Sequence, residues 1–173
     1  MMTIDEMINS LESTPKIVRQ LFEQVPSRFL TVNEGPETFS AADVLGHLIQ
    51  GEKTDWIPRL RRILEHGETK PFTPFDRFAH LRADDGSGIS KRIDEFAEWR
   101  LNNVAVLKAY AAKGLDFSLK GVHPDLGVVT LGQLLHTWVL HDWSHLGQIA
   151  RVLSKQLSHD VGPWRTYFRV LER

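Results

Sequence analysis

An all-α four-helix bundle, with long connections and a short C-terminal helix, is the fold class this sequence predicts. Three observations carry that prediction. Four stretches repeat apolar residues at the helical period, one stripe each. Two of them open on a capping signature, Ser40 with Asp43 and Thr130 with Gln133. The segments between them are rich in proline, glycine and aspartate, which punctuate helices rather than continue them. Helices with a single apolar stripe hide it most simply against one another.

Thr3 is placed to cap the first helix, whose stripe begins with Ile4, Met7, Ile8 and Leu11. Thr14-Pro15 reads as a new N-cap followed by proline at the first helical position, so the helix either kinks or restarts there. Ile17, Val18, Leu21, Phe22 and Val25 carry the stripe on to Pro26, and residues 31–39 read as a loop. The second helix opens at Ser40 and packs through Val44, Leu45, Leu48, Ile49 and Trp56; Pro58 should bend or interrupt it before Leu60. A glycine inside a helix costs about 1 kcal/mol against alanine. Gly51 is therefore expected to provide room beside His47, one turn earlier.

Residues 67–90 form a long connection whose Phe72, Phe75 and Phe78 should tuck inward over one end of the bundle. Ser90 is the expected cap of the third helix, with Ile93, Phe96, Val104 and Leu107 inward. A second connection, Val122-His123-Pro124-Asp125-Leu126-Gly127, leads to the fourth helix. That helix runs from Leu131 to near Leu157, and Gly162-Pro163-Trp164 begins a short terminal one.

With 173 residues, 42% of them hydrophobic, the chain is long enough for a substantial core and predicts one domain. The absence of cysteine excludes disulfides, thiolate metal sites and a cysteine nucleophile. A net charge of -1 argues against a nucleic-acid surface, which needs a basic stripe. No apolar run approaches the roughly 18 residues of a membrane span, and no basic segment leads into an apolar one, so the expectation is a cytoplasmic protein without membrane contact.

The chemistry concentrates in the fourth helix. Leu131, Leu134, Leu135, Trp138, His145, Ile149 and Val152 share one face, with His141 at its edge. His141 and His145, at i and i+4, stand one turn apart, roughly 5–6 Å between Cβ atoms. Buried imidazoles need polar partners, and a shared divalent metal would supply them. The pair alone is equally compatible with hydrogen-bonded or solvated histidines. His47, on a separate helix beside a glycine, strengthens the metal reading. Three neutral imidazoles would leave a coordination position open, as in catalytic zinc sites. Gln148 lies i+3 from His145 and i+7 from His141, on the same side, where it could orient a ligand. Trp138 fits plain core packing, and Asp142 a surface or interhelical hydrogen bond. His136, His66, His80, His123 and His159 fit packing, loop or helix-end roles.

Gly46-His-Leu-Ile-Gln-Gly-Glu52 and His141-Asp-Trp-Ser-His-Leu-Gly-Gln-Ile149 resemble the corresponding stretches of the DinB-like (YfiT-like) metalloenzymes. The Pro71–Phe78 stretch, the His123-Pro-Asp-Leu-Gly127 loop and Gly162-Pro-Trp164 are similar to that family as well, so the resemblance spans most of the chain. It implies one domain over residues 1–173, an up-down-down-up bundle, and a homodimer in many members. It also implies a divalent metal held by three histidines, which map to His47, His141 and His145. Zinc or nickel is the leading metal, with iron or manganese as alternatives.

On that resemblance the chain is a metal-dependent enzyme acting on a small-molecule substrate. It would activate a low-molecular-weight thiol, as in thiol S-transfer, or water, as in hydrolysis. The competing expectation is a non-catalytic bundle that binds a metal or ligand. Metal binding should weaken below the ordinary histidine pKa of about 6.5, because protons compete for the same lone pairs.

Overall fold

Four long helices, each burying one stripe, enclose two apolar clusters separated by a polar waist. The computed structural model describes residues 2–82 and 86–172. The long helices are α1 (Ile4–Glu23), α3 (Ala41–Thr54), α6 (Ile89–Ala111) and α7 (Leu131–Lys155). Short helices α2 (Ser27–Leu30), α4 (Trp56–His66) and α5 (Ala79–Arg82) lie in the connections. The order of buried residues gives the helix directions. α1 passes from Met7 and Leu11 in one cluster to Val18 and Phe22 in the other, and α7 runs the same way from Leu131 to Ile149. Opposite to both, α3 descends from Val44 in the second cluster towards Trp56 in the first, and α6 runs from Phe96 to Leu107. The bundle is therefore up-down-down-up.

Sequence dictates where these helices begin. Reciprocal capping boxes close Thr3 with Glu6, Ser40 with Asp43, and Thr130 with Gln133, each satisfying donors that the first turn leaves free. Gly88, not Ser90, is the N-cap of α6, two residues before the position that the pattern predicts. Thr14-Pro15 does not restart the first helix: α1 is continuous from Ile4 to Glu23 with Pro15 buried inside it. Proline removes the bond that would reach the Leu11 carbonyl. Arg100 of α6 donates to that carbonyl instead, at 2.8 Å. The second predicted helix breaks at Asp55, three residues before Pro58, leaving the proline in the first turn of α4 where no amide donor is missed.

The second connection holds an unforeseen antiparallel hairpin, β1 (Lys120–His123) and β2 (Gly127–Thr130), with Gly121 opposite Val129 and His123 opposite Gly127. Each strand has only four residues, too few to show alternation, and Gly127 closes the turn at φ 73°. The first connection pairs with this hairpin through the Phe72 amide, which donates to the Val122 carbonyl at 2.8 Å. Of its three phenylalanines only Phe72 is fully buried; Phe75 is half-buried and Phe78 is exposed. Beyond α7 the chain forms 3-10 turns at Gly162–Tyr167 and Arg169–Leu171 rather than a terminal α-helix. No helix among the described residues is long and apolar enough to cross a membrane.

Candidate metal centre

The stripe of α7 has a carboxylate at its middle. Leu131, Leu135, Trp138, Asp142, Ile149 and Val152 are buried, while His141 and His145 are half-buried on the flank. His145, expected within the core stripe, thus lies on its flank, whereas Asp142 is buried and takes the interhelical hydrogen-bonding role, not the surface one. His47, in the second turn of α3, is buried against that flank. Its Nε2 lies 3.1 Å from Nε2 of His141, which in turn lies 3.1 Å from Nε2 of His145. One ligand atom from each of the three histidines falls within 4.8 Å of the others. The structure thereby brings together the three histidines singled out in the sequence.

Burial holds these rings neutral. Desolvation, reinforced by the neighbouring His145 and His80, lowers the pKa of His47 to about 4. Desolvation and the adjoining His145 and His47 bring His141 down to about 2. His145 is lowered too, by burial, against the pull of Gln148 and Asp142. Gln148 sets its tautomer: Oε1 lies 2.8 Å from Nδ1 and accepts its proton, so the lone pair sits on Nε2, facing the cluster. Three neutral nitrogens within contact of one another cannot all satisfy each other by hydrogen bonding, since two acceptors facing one ring leave at least one lone pair unmatched. A divalent cation fits that donor set.

Gly51 provides room, though not beside His47 as the spacing suggests. A Cβ there would meet Nε1 of Trp56 at 3.2 Å and Cε1 of His141 at 4.0 Å. Trp56 uses that space to stack on Trp138 with ring centroids 5.7 Å apart and planes 8° from parallel, and to meet His141 edge-on at 5.0 Å.

Behind the histidines lies a network that periodicity could not disclose. Arg100, 1% exposed, donates to Asp142 at 2.5 and 2.9 Å and to Glu52 at 2.8 Å. Asn103 donates to the Glu52 backbone carbonyl and carboxylate at 2.8 and 2.9 Å, and the Trp138 indole donates to Glu52 at 3.0 Å. Burial opposes the charge on Arg100, but Asp142 and Glu52 prevail and raise its pKa above the ordinary value. Towards the histidines this network acts with both signs: Arg100 disfavours positive charge at His141, while Asp142 favours it at His145. Two of its members adjoin residues of the histidine motifs: Asp142 follows His141, and Glu52 follows Gly51.

A cavity of about 420 Å³ opens onto the cluster. His47, His141, His145 and Gln148 line it together with Asp55, Arg59, Trp56, Phe72, Phe75 and His123. Among the described residues Asp55 is the one carboxyl in its wall, and burial pushes it up to about 6 against the pull of Arg59. His80, read in sequence as a loop or helix-end histidine, is buried with its ring 5.0 Å from Phe39 and 5.8 Å from His47. It packs behind His47 and is not among the three converging ligands. Lying in the four-residue α5, too short for a helical stripe, it gave no periodic signal.

The model of the DinB superfamily matches residues 10–149, from α1 through the histidine pair of α7. The chain belongs to the DinB superfamily. No curated protein sequence matches it significantly. Among solved structures it is similar to YfiT from Bacillus subtilis, described as a probable metal-dependent hydrolase with an unusual four-helix bundle topology. The TM-score is 0.73 at 22% sequence identity, over 88% of this chain and 87% of that one. The two share this DinB-type bundle.

Proposed function

We propose that this DinB-superfamily chain is a divalent-metal-dependent enzyme for a small-molecule substrate, with hydrolysis as its reaction class. His47, His141 and His145 hold the metal, zinc or nickel in first place. One observation carries the proposal: three neutral Nε2 atoms converge at the wall of a cavity large enough for a metabolite. The bound cation would supply Lewis acidity, lowering the pKa of a water or thiol brought to it. Hydrolysis is preferred to thiol transfer because the fold neighbour is described as a probable metal-dependent hydrolase.

The chain's own residues do the rest. Gln148 fixes the tautomer and orientation of His145. Trp56 and the phenylalanines exclude bulk water from the histidine face of the cavity. Asp55, with its pKa near 6, is able to take up and release a proton near neutral pH.

Metal analysis of protein purified without an affinity tag tests the proposal. Wild type is expected to carry stoichiometric metal and His141→Ala none; undiminished metal in that variant would refute the site. Because the folded rings resist protonation well below 6.5, metal loss is expected to set in at lower pH than for free histidine. A cobalt-substituted sample separates the two reaction classes. Under the hydrolase reading azide perturbs its spectrum while millimolar thiol gives no turnover-dependent change, whereas thiol consumption with an electrophile would establish S-transfer. A spectrum indifferent to every added ligand would mark the site as closed and structural.

A further inference from the structure

The long connection and the hairpin supply none of the three histidines, yet they complete the cavity beside them. Phe72 is their meeting point. The Arg59 guanidinium lies over its ring at 5.2 Å, and the His123 ring meets it edge-on at 6.2 Å. His123 is fixed in one tautomer by its own turn. Its Nδ1 accepts the backbone amides of Asp125 at 3.1 Å and Leu126 at 3.3 Å, so the proton of the neutral ring resides on Nε2. Partial burial and the nearby Arg59 charge both favour that neutral form.

Arg59 itself is unusual for a cavity-lining cation. Its side chain is 11% exposed, and among the described residues its polar partner is Asp55, whose Oδ1 lies 2.6 Å from Nε. A guanidinium has five N–H donors, and here even the buried Nε, although it stands beside that carboxylate oxygen, makes no hydrogen bond among the described residues. An unmatched charged donor in a desolvated wall is a demand for an acceptor.

We infer that Arg59 and the Nε2–H of His123 form a carboxylate-recognising end of this cavity, so that the substrate is a small organic acid with an apolar body. Its carboxylate is held by these two donors and its body rests against Phe72, Phe75 and Leu134. The inference rests on the proposed enzyme only in aiming the reacting bond at the three histidines. Charge favours a carboxylate over a phosphate. At this end Asp55 already offsets much of the Arg59 charge. The cavity's other guanidinium, Arg77, lies over Phe78 with its field on His47 and His145, so a monoanion is better matched here than a dianion.

The probes are 3-phenylpropionate and its neutral amide, 3-phenylpropionamide, titrated by calorimetry into zinc-loaded protein and into chelator-stripped protein. Wild type is expected to prefer the acid by about tenfold or more in both forms, the scale of a hydrogen bond to a charged group. Arg59→Gln alone would strand the buried Asp55, so the Asp55→Asn/Arg59→Gln double variant is the informative one. Its acid preference should fall to about onefold, while its zinc content and melting temperature certify the fold. His123→Phe should lose part of the preference. Equal affinities for acid and amide in wild type, no binding of either at millimolar concentration, or a preference that survives in the stripped double variant would each overturn the inference. A preference present only in zinc-loaded protein would also overturn it, because the carboxylate would then be seeking the metal. Absence of zinc binding would instead strike the proposed enzyme and leave the stripped-protein preference intact.

Discussion

At the scale of single residues, the most consequential side chain is Arg100. It closes the Leu11 carbonyl left open by Pro15 and balances two buried carboxylates. Removing one partner of a buried ion network leaves uncompensated charge, at a cost of about 3–5 kcal/mol. Arg100→Leu is therefore expected to lower the urea unfolding free energy by that amount. A loss below about 1 kcal/mol, the scale of an exposed ion pair, would show the network to be dispensable. His141 and His145 were legible in sequence because i, i+4 spacing on a marked helix is a local signal, whereas His47, 94 positions before His141, was reached only through the glycine one turn on and the family resemblance. Arg100, Glu52 and Asp142 were not legible, because ion pairs between residues 42 and 48 positions apart leave no local pattern. Only their burial betrays them, and a sequence does not display which charged residues are buried.

At the scale of elements, two glycines make opposite predictions. Gly121 in β1 lies where a Cβ would meet Cγ1 of Ile63 at 2.7 Å and Cε1 of Phe72 at 3.0 Å. Both neighbours are buried and have little room to yield. Gly121→Ala should thus cost about 1–3 kcal/mol by overpacking and should loosen the hairpin from α4. Gly147, exposed in α7 with nothing within 4 Å of a Cβ, should do the reverse. Gly147→Ala is expected to stabilise by about 0.5–1 kcal/mol through helix propensity alone. Thermal melts of the two variants check both signs. Helix starts were readable wherever a side chain caps them, as at Ser40 and Thr130. The start of α6 was misplaced because Gly88 offers no side-chain cap, so Ser90 carried the stronger signal. The hairpin escaped because its register depends on Phe72 from another connection as much as on its own four-residue strands.

At the scale of the whole molecule, the buried rings make stability depend on pH. His47 and His141 have folded pKa values of about 4 and 2 against an ordinary 6.5, and His145 is lowered as well. Between those values the unfolded chain binds protons that the fold refuses. The stabilisation is complete above about pH 6.5 and is lost as pH falls towards 4. Asp55 acts with the opposite sign: its folded value near 6 exceeds the ordinary 3.8, so its contribution is full at low pH and fades as pH rises through 6. Three histidines outweigh one carboxyl. Metal-stripped protein should therefore melt at progressively lower temperature from pH 6.5 to pH 4. A flat or rising profile over that interval would show that the rings are more hydrated than their packing implies.

The stacked indoles of Trp56 and Trp138 have an optical consequence. One is carried by α4 and the other by α7, so their near-parallel contact exists only when α4 docks on the bundle. Two transition dipoles at that separation couple, and the coupling appears as a paired positive and negative band in circular dichroism at the short-wavelength indole transitions. The couplet belongs to the assembled pair and not to either helix, so its amplitude follows α4 docking independently of total helicity. Since the edge of Trp56 also touches His141, a quenching ion captured by the histidines would dim this fluorescence before that of the exposed Trp143 and Trp164.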